Sequence, residues 1–254
     1  MTNITDLERG MRQLHLKGMI QTLQARVMQV RQGDMDFLEA FSCLIKDELD
    51  HKRSTTIQRR YHLSGLTERK TLDGFDWTFN PKLPRREIIE LSTCKFIDDR
   101  EDVLMIGPPG VGKSHIAKSL ALTALHRDYK VFYRDSQEFL PELHQARQLG
   151  TITKLKTQIK QAHLVIIDDL FLRKLPENAA DEITELVFNR HEKASTIITS
   201  NRPIEDWGTL LGDIVSIGPM LDRIMHHGHL LKFEGKSWRL KEASARLAKT
   251  KVSE

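Results

Sequence analysis

Between Leu7 and His62 the apolar residues recur every three or four positions: Leu7, Met11, Leu14, Met19, Leu23, Val27 and Val30, then Phe37, Phe41, Leu44, Ile45 and Leu49. That spacing lines one face of an α-helix. Gly33-Asp34 interrupts it, so helices on either side of a turn are expected, with Asp36 placed to cap the second ahead of Phe37. The methionines at these intervals read as core fillers. Beyond Arg86 the pattern changes to short apolar runs bounded by helical stretches: residues 103–106, 131–133, 164–167, 196–199 and 230–233. Strands alternating with helices in this way predict a parallel sheet covered on both faces.

The two patterns divide the chain into a helical N-terminal domain over residues 1–70, a linker over 71–86, an α/β domain over 87–241 and a basic tail over 242–254, expected to be mobile. Asp73-Gly74, Pro81 and Pro84 punctuate the linker, and Phe75, Trp77 and Phe79 alternate in it as if an extended strap pressed one edge onto another surface. At 254 residues the chain has room for one α/β module and a smaller appendage.

Charge adds a candidate partner. The formal net charge is only +4, but Lys52, Arg53, Arg59, Arg60, Arg69 and Lys70 are concentrated in one stretch, with Glu68 the one acid close by. A solvated helix face would look the same; contacts to a DNA backbone need this composition and no sequence motif. Lys52, Arg53, Arg59 and Arg60 are the candidate DNA-binding residues, and duplex DNA the candidate partner. Cys43 and Cys94 are isolated, which argues against a disulfide framework and suits a reducing cytoplasm. No segment approaches the roughly 18 apolar residues of a membrane span.

The chemistry begins at Gly107-Pro108-Pro109-Gly110-Val111-Gly112-Lys113-Ser114, a full G-x-x-x-x-G-K-[ST] pattern between an expected strand and an expected helix. The glycines let the backbone curl until its N–H groups face phosphate oxygens, and the helix N-terminus adds its positive dipole end. Lys113 is placed to reach the β- and γ-phosphates of ATP, and the Ser114 hydroxyl to ligate Mg²⁺. Asp168 and Asp169 end the run Leu164-Val165-Ile166-Ile167, at the edge of the sheet where ligands of open α/β folds bind. Such a pair could simply end a strand in solvent. Beside a phosphate loop, one acid can hold Mg²⁺ and the other orient the attacking water. Thr199-Ser200-Asn201 ends the next strand in the same manner, offering an amide to the γ-phosphate. His226, His227 and His229 have no acidic or thiol neighbour in the sequence at metal-ligand spacing, so a structural or interface role is expected for them.

The series GPPGVGKS, LVIIDDL and STIITSN, followed by PMLDRIMHHGHLLKFEGKSWRL from Pro219, closely resembles the IstB group of AAA+ ATPases, which assist the transposases of insertion sequences. The resemblance extends over nearly the whole chain, including the KTLDGFDW strap, and reaches the helicase loader DnaC and, more distantly, the initiator DnaA. It implies a P-loop AAA+ parallel sheet flanked by helices, preceded by a small all-helical domain and followed by no full C-terminal lid domain. By resemblance Asp168 is the metal-associated acid, Asp169 the water-activating one, Asn201 the first sensor and Arg223 the arginine finger offered to a neighbouring subunit. Arg239 is a candidate second sensor. The function implied is an ATP-hydrolysing, DNA-binding helper that forms a homo-oligomer on duplex DNA with ATP between subunits and serves a cognate transposase; the alternative is a DnaC-like helicase loader.

Overall fold

The computed structural model describes residues 3–172, 179–211 and 214–250. The chain separates into two compact units, Met1–Arg60 and Tyr61–Glu254.

The first unit is helical: α1 (Ile4–Gln13), α2 (Lys17–Gln32) and most of α3 (Phe37–Ser64). Gly33 ends α2 in the left-handed region at φ 79°, where a residue without Cβ is least strained. At the start of α3 the Glu39 amide donates to Asp36 Oδ1 at 2.8 Å, and the Asp36 amide donates back to Glu39 Oε2 at 3.0 Å. This reciprocal capping satisfies two amides that the first turn would otherwise leave open. Glu48, buried on α3, accepts from the Gly18 and Met19 amides at 2.7 and 3.1 Å and so caps α2 from outside. The spacing of apolar residues overstates the core here. Leu23, Ala40 and Leu44 are buried, whereas Met28, Phe37, Phe41, Ile45 and Leu49 are exposed, because a three-helix unit of this size has too little interior to take the whole stripe.

In the second unit α4 (Arg85–Leu91) and α5 (Lys95–Asp98) lead into β1 (Asp102–Ile106). There follow α6 (Lys113–His126), β2 (Val131–Asp135), α7 (Ser136–Gln148), α8 (Ile152–Gln161), β3 (Leu164–Leu170), α9 (Ala179–Arg190), β4 (Ser195–Ser200), α10 (Trp207–Leu211), α11 (Ile214–His226), β5 (Gly228–Lys232) and α12 (Trp238–Thr250). The five strands form one parallel sheet in the order β2-β3-β4-β1-β5. Alternate residues of each strand enter opposite cores: Val103 and Met105 join Ile116, Leu120 and Ile166 on one face, and Leu104 joins Phe139, Val165 and Ile198 on the other. The carboxyl ends of β1, β3 and β4 therefore open on the same edge, above a sheet buried on both sides.

Two expectations change. Residues 71–84 run as consecutive turns, not as an extended strap. Asp76 Oδ1 accepts from the Thr78 amide and hydroxyl at 2.9 and 2.6 Å, a local bond that competes with an extended backbone. The aromatic residues still pack: Phe75 and Trp77 lie against the core and Phe79 meets Trp238 edge-on with ring centres 5.0 Å apart. The tail expected to be mobile is helical through Thr250, since Trp238–Thr250 is rich in Leu, Lys, Glu, Arg and Ala, all strong helix formers. Residues 251–254 lie outside the described ones.

Candidate functional site

Strand β1 ends at Ile106, and the chain turns through Gly107 into a loop closed by the N-terminus of α6. Gly112 precedes α6 at φ 112°, and a Cβ there would stand 2.6 Å from the Phe75 ring, so both conformation and space demand glycine. Gly110, at φ 79°, is hemmed in by Ser237, and its carbonyl accepts from the Trp238 amide at 2.9 Å. The phosphate loop is thus held from both sides by residues distant in sequence. Lys113 is buried, and its Nζ donates to the carbonyls of Gly107 and Pro108 at 2.6 and 2.9 Å. Burial lowers its pKa, opposed by the charges of Asp169 and Asp168. The ammonium is stored on the loop's own backbone, two bonds that a phosphate would replace.

At the end of β3 the register with β4 shifts between Ile167 and Leu170, and Asp169 takes φ 52°. Such bulges re-aim side chains beside functional sites. Here the irregularity gives the two acids different surroundings. Asp168 is buried, with Oδ2 accepting from the Tyr133 hydroxyl at 2.6 Å and Oδ1 from the Thr199 hydroxyl. Asp169 lines a cavity of about 650 Å³. Burial, then the neighbouring Asp168 charge, raises the Asp169 pKa, while Lys113 pulls it down.

That cavity is also lined by Pro109 to Ser114, Asn201 and Arg239. Asn201 Oδ1 is buried with no hydrogen-bond partner among the described residues. An orphaned buried acceptor is costly unless something outside the chain completes it, which fits a bound ligand. The turns of residues 71–84 form another wall through Phe75, Asp76, Phe79 and Asn80, with Trp238 beside them. Asn80 ties the two rims together: its amide donates to the Lys236 carbonyl at 3.0 Å, and its Oδ1 accepts from the Lys236 amide at 2.9 Å. Sequence reasoning missed these wall residues as site members. Their signal was the aromatic alternation of the linker and the GKSW run, which by themselves do not say what they face.

The other expected residues lie elsewhere. Arg223, on α11, is outside the lining of its own chain's cavity; its guanidinium lies over the Phe188 ring at 3.8 Å and Nη1 donates to the Pro219 carbonyl at 3.1 Å. Lys52, Arg53, Arg59 and Arg60 all fall on α3, where two pairs seven residues apart share one face. Lys52 pairs with Glu48 at 3.5 Å. The histidines have acidic neighbours after all, brought by the fold from remote segments: His229 Nε2 is 2.9 Å from Glu101, and His227 Nε2 is 3.7 Å from Glu192.

A parallel β2-β3-β4-β1-β5 sheet, a phosphate loop after β1, paired acids at the end of β3 and an asparagine after β4 define a P-loop protein of the AAA+ class. The profile of the family described as IstB-like ATP binding protein matches residues 10–246. The chain belongs to that family. It is 35% identical over 229 residues to an ATP-binding protein of insertion sequence IS5376 from Geobacillus stearothermophilus, covering 90% of this chain and 91% of that one. It is 30% identical over 237 residues to an ATP-binding protein of insertion sequence IS21 from Pseudomonas aeruginosa, covering 93% and 89%. Among solved structures, the DnaI fold matches with a TM-score of 0.56 at 19% identity over 65% of this chain and 92% of that one. AMPPCP-bound DnaA from Aquifex aeolicus matches with a TM-score of 0.56 at 22% identity over 67% and 51%. The DnaC helicase loader gives 0.50 at 20% identity, over 62% and 98%. Among the described residues, no helix is long and apolar enough to cross a membrane.

Proposed function

We propose that this insertion-sequence ATP-binding protein hydrolyses ATP and, in its ATP-bound form, assembles on duplex DNA in the cytoplasm to prepare target DNA for a cognate transposase. The observation that carries the reading is the cavity where Lys113, Ser114, Asp169, Asn201 and Arg239 converge. In it the loop amides and Lys113 hold the phosphates. Arg239 adds a second cation to the same cavity, and the Asn201 carbonyl, without a partner among the described residues, would accept a hydrogen bond from the attacking water.

Mg²⁺ fits the donor set, with Ser114 as direct hydroxyl ligand and Asp168 reaching it through water, since both Asp168 oxygens already accept hydroxyl protons. When bound, the ion would neutralise charge across the β- and γ-phosphate oxygens. Asp169 orients and deprotonates the attacking water. Burial and the Asp168 charge raise its pKa, which makes it a stronger base than an ordinary surface carboxylate, while Lys113 opposes that shift. Arg223 acts on the ATP of a neighbouring subunit, a reading supported by its position outside its own cavity. ATP held between subunits favours the oligomer by mass action. The basic face of α3 supplies contacts to the DNA backbone.

The test combines phosphate release with imaging on long duplex DNA. Wild-type protein should hydrolyse ATP and form ATP-dependent assemblies on duplex, and Asp169→Ala should assemble with near-normal ATP affinity but lose turnover. Assembly on single strands alone would instead favour a helicase loader. Absence of turnover under all DNA and transposase conditions would leave a binding module.

A further inference from the structure

At the edge of the sheet opposite the phosphate loop, two chain segments meet where β4 and β5 begin. The first is the turn after α9, carrying His191 and Glu192; the second is the end of α11, carrying His226 and His227. Ligand atoms of His191, Glu192 and His226 all lie within 4.8 Å of one another. The Glu192 carboxylate is 3.8 Å from His191 Nε2 and 3.7 Å from His227 Nε2, and the rings of His226 and His227 meet edge-on with centres 4.4 Å apart. We propose that His191, Glu192, His226 and His227 form a binding site for a divalent transition-metal ion of the zinc type.

The chemistry selects the ion class. Three imidazoles beside one carboxylate make a nitrogen-rich donor set that suits Zn²⁺, Ni²⁺ or Cu²⁺ and is poor for Mg²⁺ or Ca²⁺, which take oxygen. Four protein ligands fill a tetrahedron, so the site is structural and closed, not catalytic. With bonds of about 2.0–2.1 Å, tetrahedral ligand atoms stand about 3.4 Å apart, so His191, Glu192 and His226 need only small side-chain rotations to close on an ion, and His227 Nε2 is already 3.7 Å from Glu192. Glu192, His226 and His227 are exposed, which leaves their side chains room to turn.

The backbone beneath is built to hold the ligands. Glu192 sits at φ 57°, a left-handed conformation that a glutamate adopts only when its surroundings require it. Its carbonyl accepts from Arg100 Nη1 at 3.3 Å, and the amides of Lys193 and Ala194 donate to the Arg190 carbonyl at 2.9 and 3.0 Å. Arg190 itself is buried, its guanidinium donating to the carbonyls of Ile159, Ala162, His163 and Ser195. On the other side the His227 carbonyl accepts from the Asp102 amide at 2.9 Å, fixing it to the start of β1. A bound ion would therefore clip α9 to α11 beside the helical turn that carries Arg223.

The experiment uses the full chain, freed of any affinity tag and stripped with a chelator, and titrated with Zn²⁺ calorimetrically and with Co²⁺ by visible absorption. One ion per chain is expected, with a micromolar or tighter dissociation constant and an intense Co²⁺ spectrum of tetrahedral type. His191→Ala/His226→Ala should weaken Zn²⁺ binding by about 100-fold or more, since loss of even an outer-shell partner costs 10- to 100-fold. His229→Ala, whose imidazole faces Glu101, should bind as the wild type. If circular dichroism shows the double variant misfolded, Glu192→Gln, which keeps the side chain's size, carries the test with at least a tenfold loss expected. Wild-type protein that takes up no stoichiometric Zn²⁺, or folded variants that bind it unchanged, would overturn the proposal.

Discussion

The Thr199 hydroxyl accepts a hydrogen bond from the Asp169 amide at 2.8 Å and gives its own proton to the Asp168 carboxylate. One side chain of β4 thereby holds both acids of β3 at the irregularity that turns Asp169 toward the cavity. Thr199→Val keeps the shape and removes both bonds, leaving a buried N–H and a buried carboxylate oxygen short of a partner. The expected cost is about 2–6 kcal/mol of unfolding free energy, at roughly 1–3 for each orphaned group. ATP turnover should fall further than ATP affinity, and Thr199→Ser should restore most of both. Denaturant unfolding alongside steady-state hydrolysis checks this; a variant as stable and as active as wild type would show that the bridge positions nothing.

Lys113 carries the charge that must leave the Gly107 and Pro108 carbonyls to meet a phosphate. Lys113→Ala should weaken ATP binding by about 1.5–3 kcal/mol, the worth of a charge-assisted hydrogen bond, or roughly 10- to 150-fold in Kd. Titration with a fluorescent ATP analogue reads it directly, and unchanged affinity would remove the loop from the site.

Arg223 stacks on Phe188 and lies outside the lining of its own chain's cavity. Arg223→Ala should bind ATP normally and lose about 10³-fold or more in turnover, the usual worth of an arginine supplied in trans. Mixing it with Lys113→Ala should bring part of the activity back, because some junctions then join an intact loop to an intact arginine. No recovery in verified mixed assemblies would mean that Arg223 acts within its own subunit.

Burial raises the Asp102 pKa to about 7, although the Thr196 amide and the Arg190 guanidinium pull it down. Since the folded pKa lies above the unfolded value of 3.8, the folded chain binds the extra proton between them, and stability falls as pH rises from about 4 to 7. Asp102→Asn lacks this proton. Wild type should therefore lose stability relative to the variant across that window, by no more than about 4 kcal/mol at 1.36 per pKa unit. A pH-independent difference between the two unfolding free energies would show that Asp102 is ionised throughout.

Arg59 and Arg60 lie on the basic face of α3. Replacing both with alanine should weaken binding to all duplexes alike and flatten the slope of log K against log salt by about 0.9 for each phosphate left without its arginine. ATP affinity without DNA should stay the same. A wild-type slope in the double variant would send the DNA path over the ATPase unit.

The phosphate loop was legible in the sequence because it is contiguous. Its glycine spacing, lysine and hydroxyl are set by the backbone geometry of one turn between a strand and a helix, and the apolar periods on either side announce those elements. The acids at the end of β3 and Asn201 after β4 were legible for the same reason, as polar residues ending apolar runs. Periodicity describes what a segment does along itself and carries no register between segments. Only the packed sheet could bring Thr199 beneath Asp169, set Trp238 and Arg239 against the loop, or convert the linker's alternating aromatics into turns that wall the cavity. The stripe from Phe37 to Leu49 looked like core and is largely exposed, since burial depends on how much interior the neighbouring helices can enclose. The histidines after α11 seemed to lack acidic partners because Glu101 and Glu192 reach them only through strands that are neighbours in space and remote in sequence.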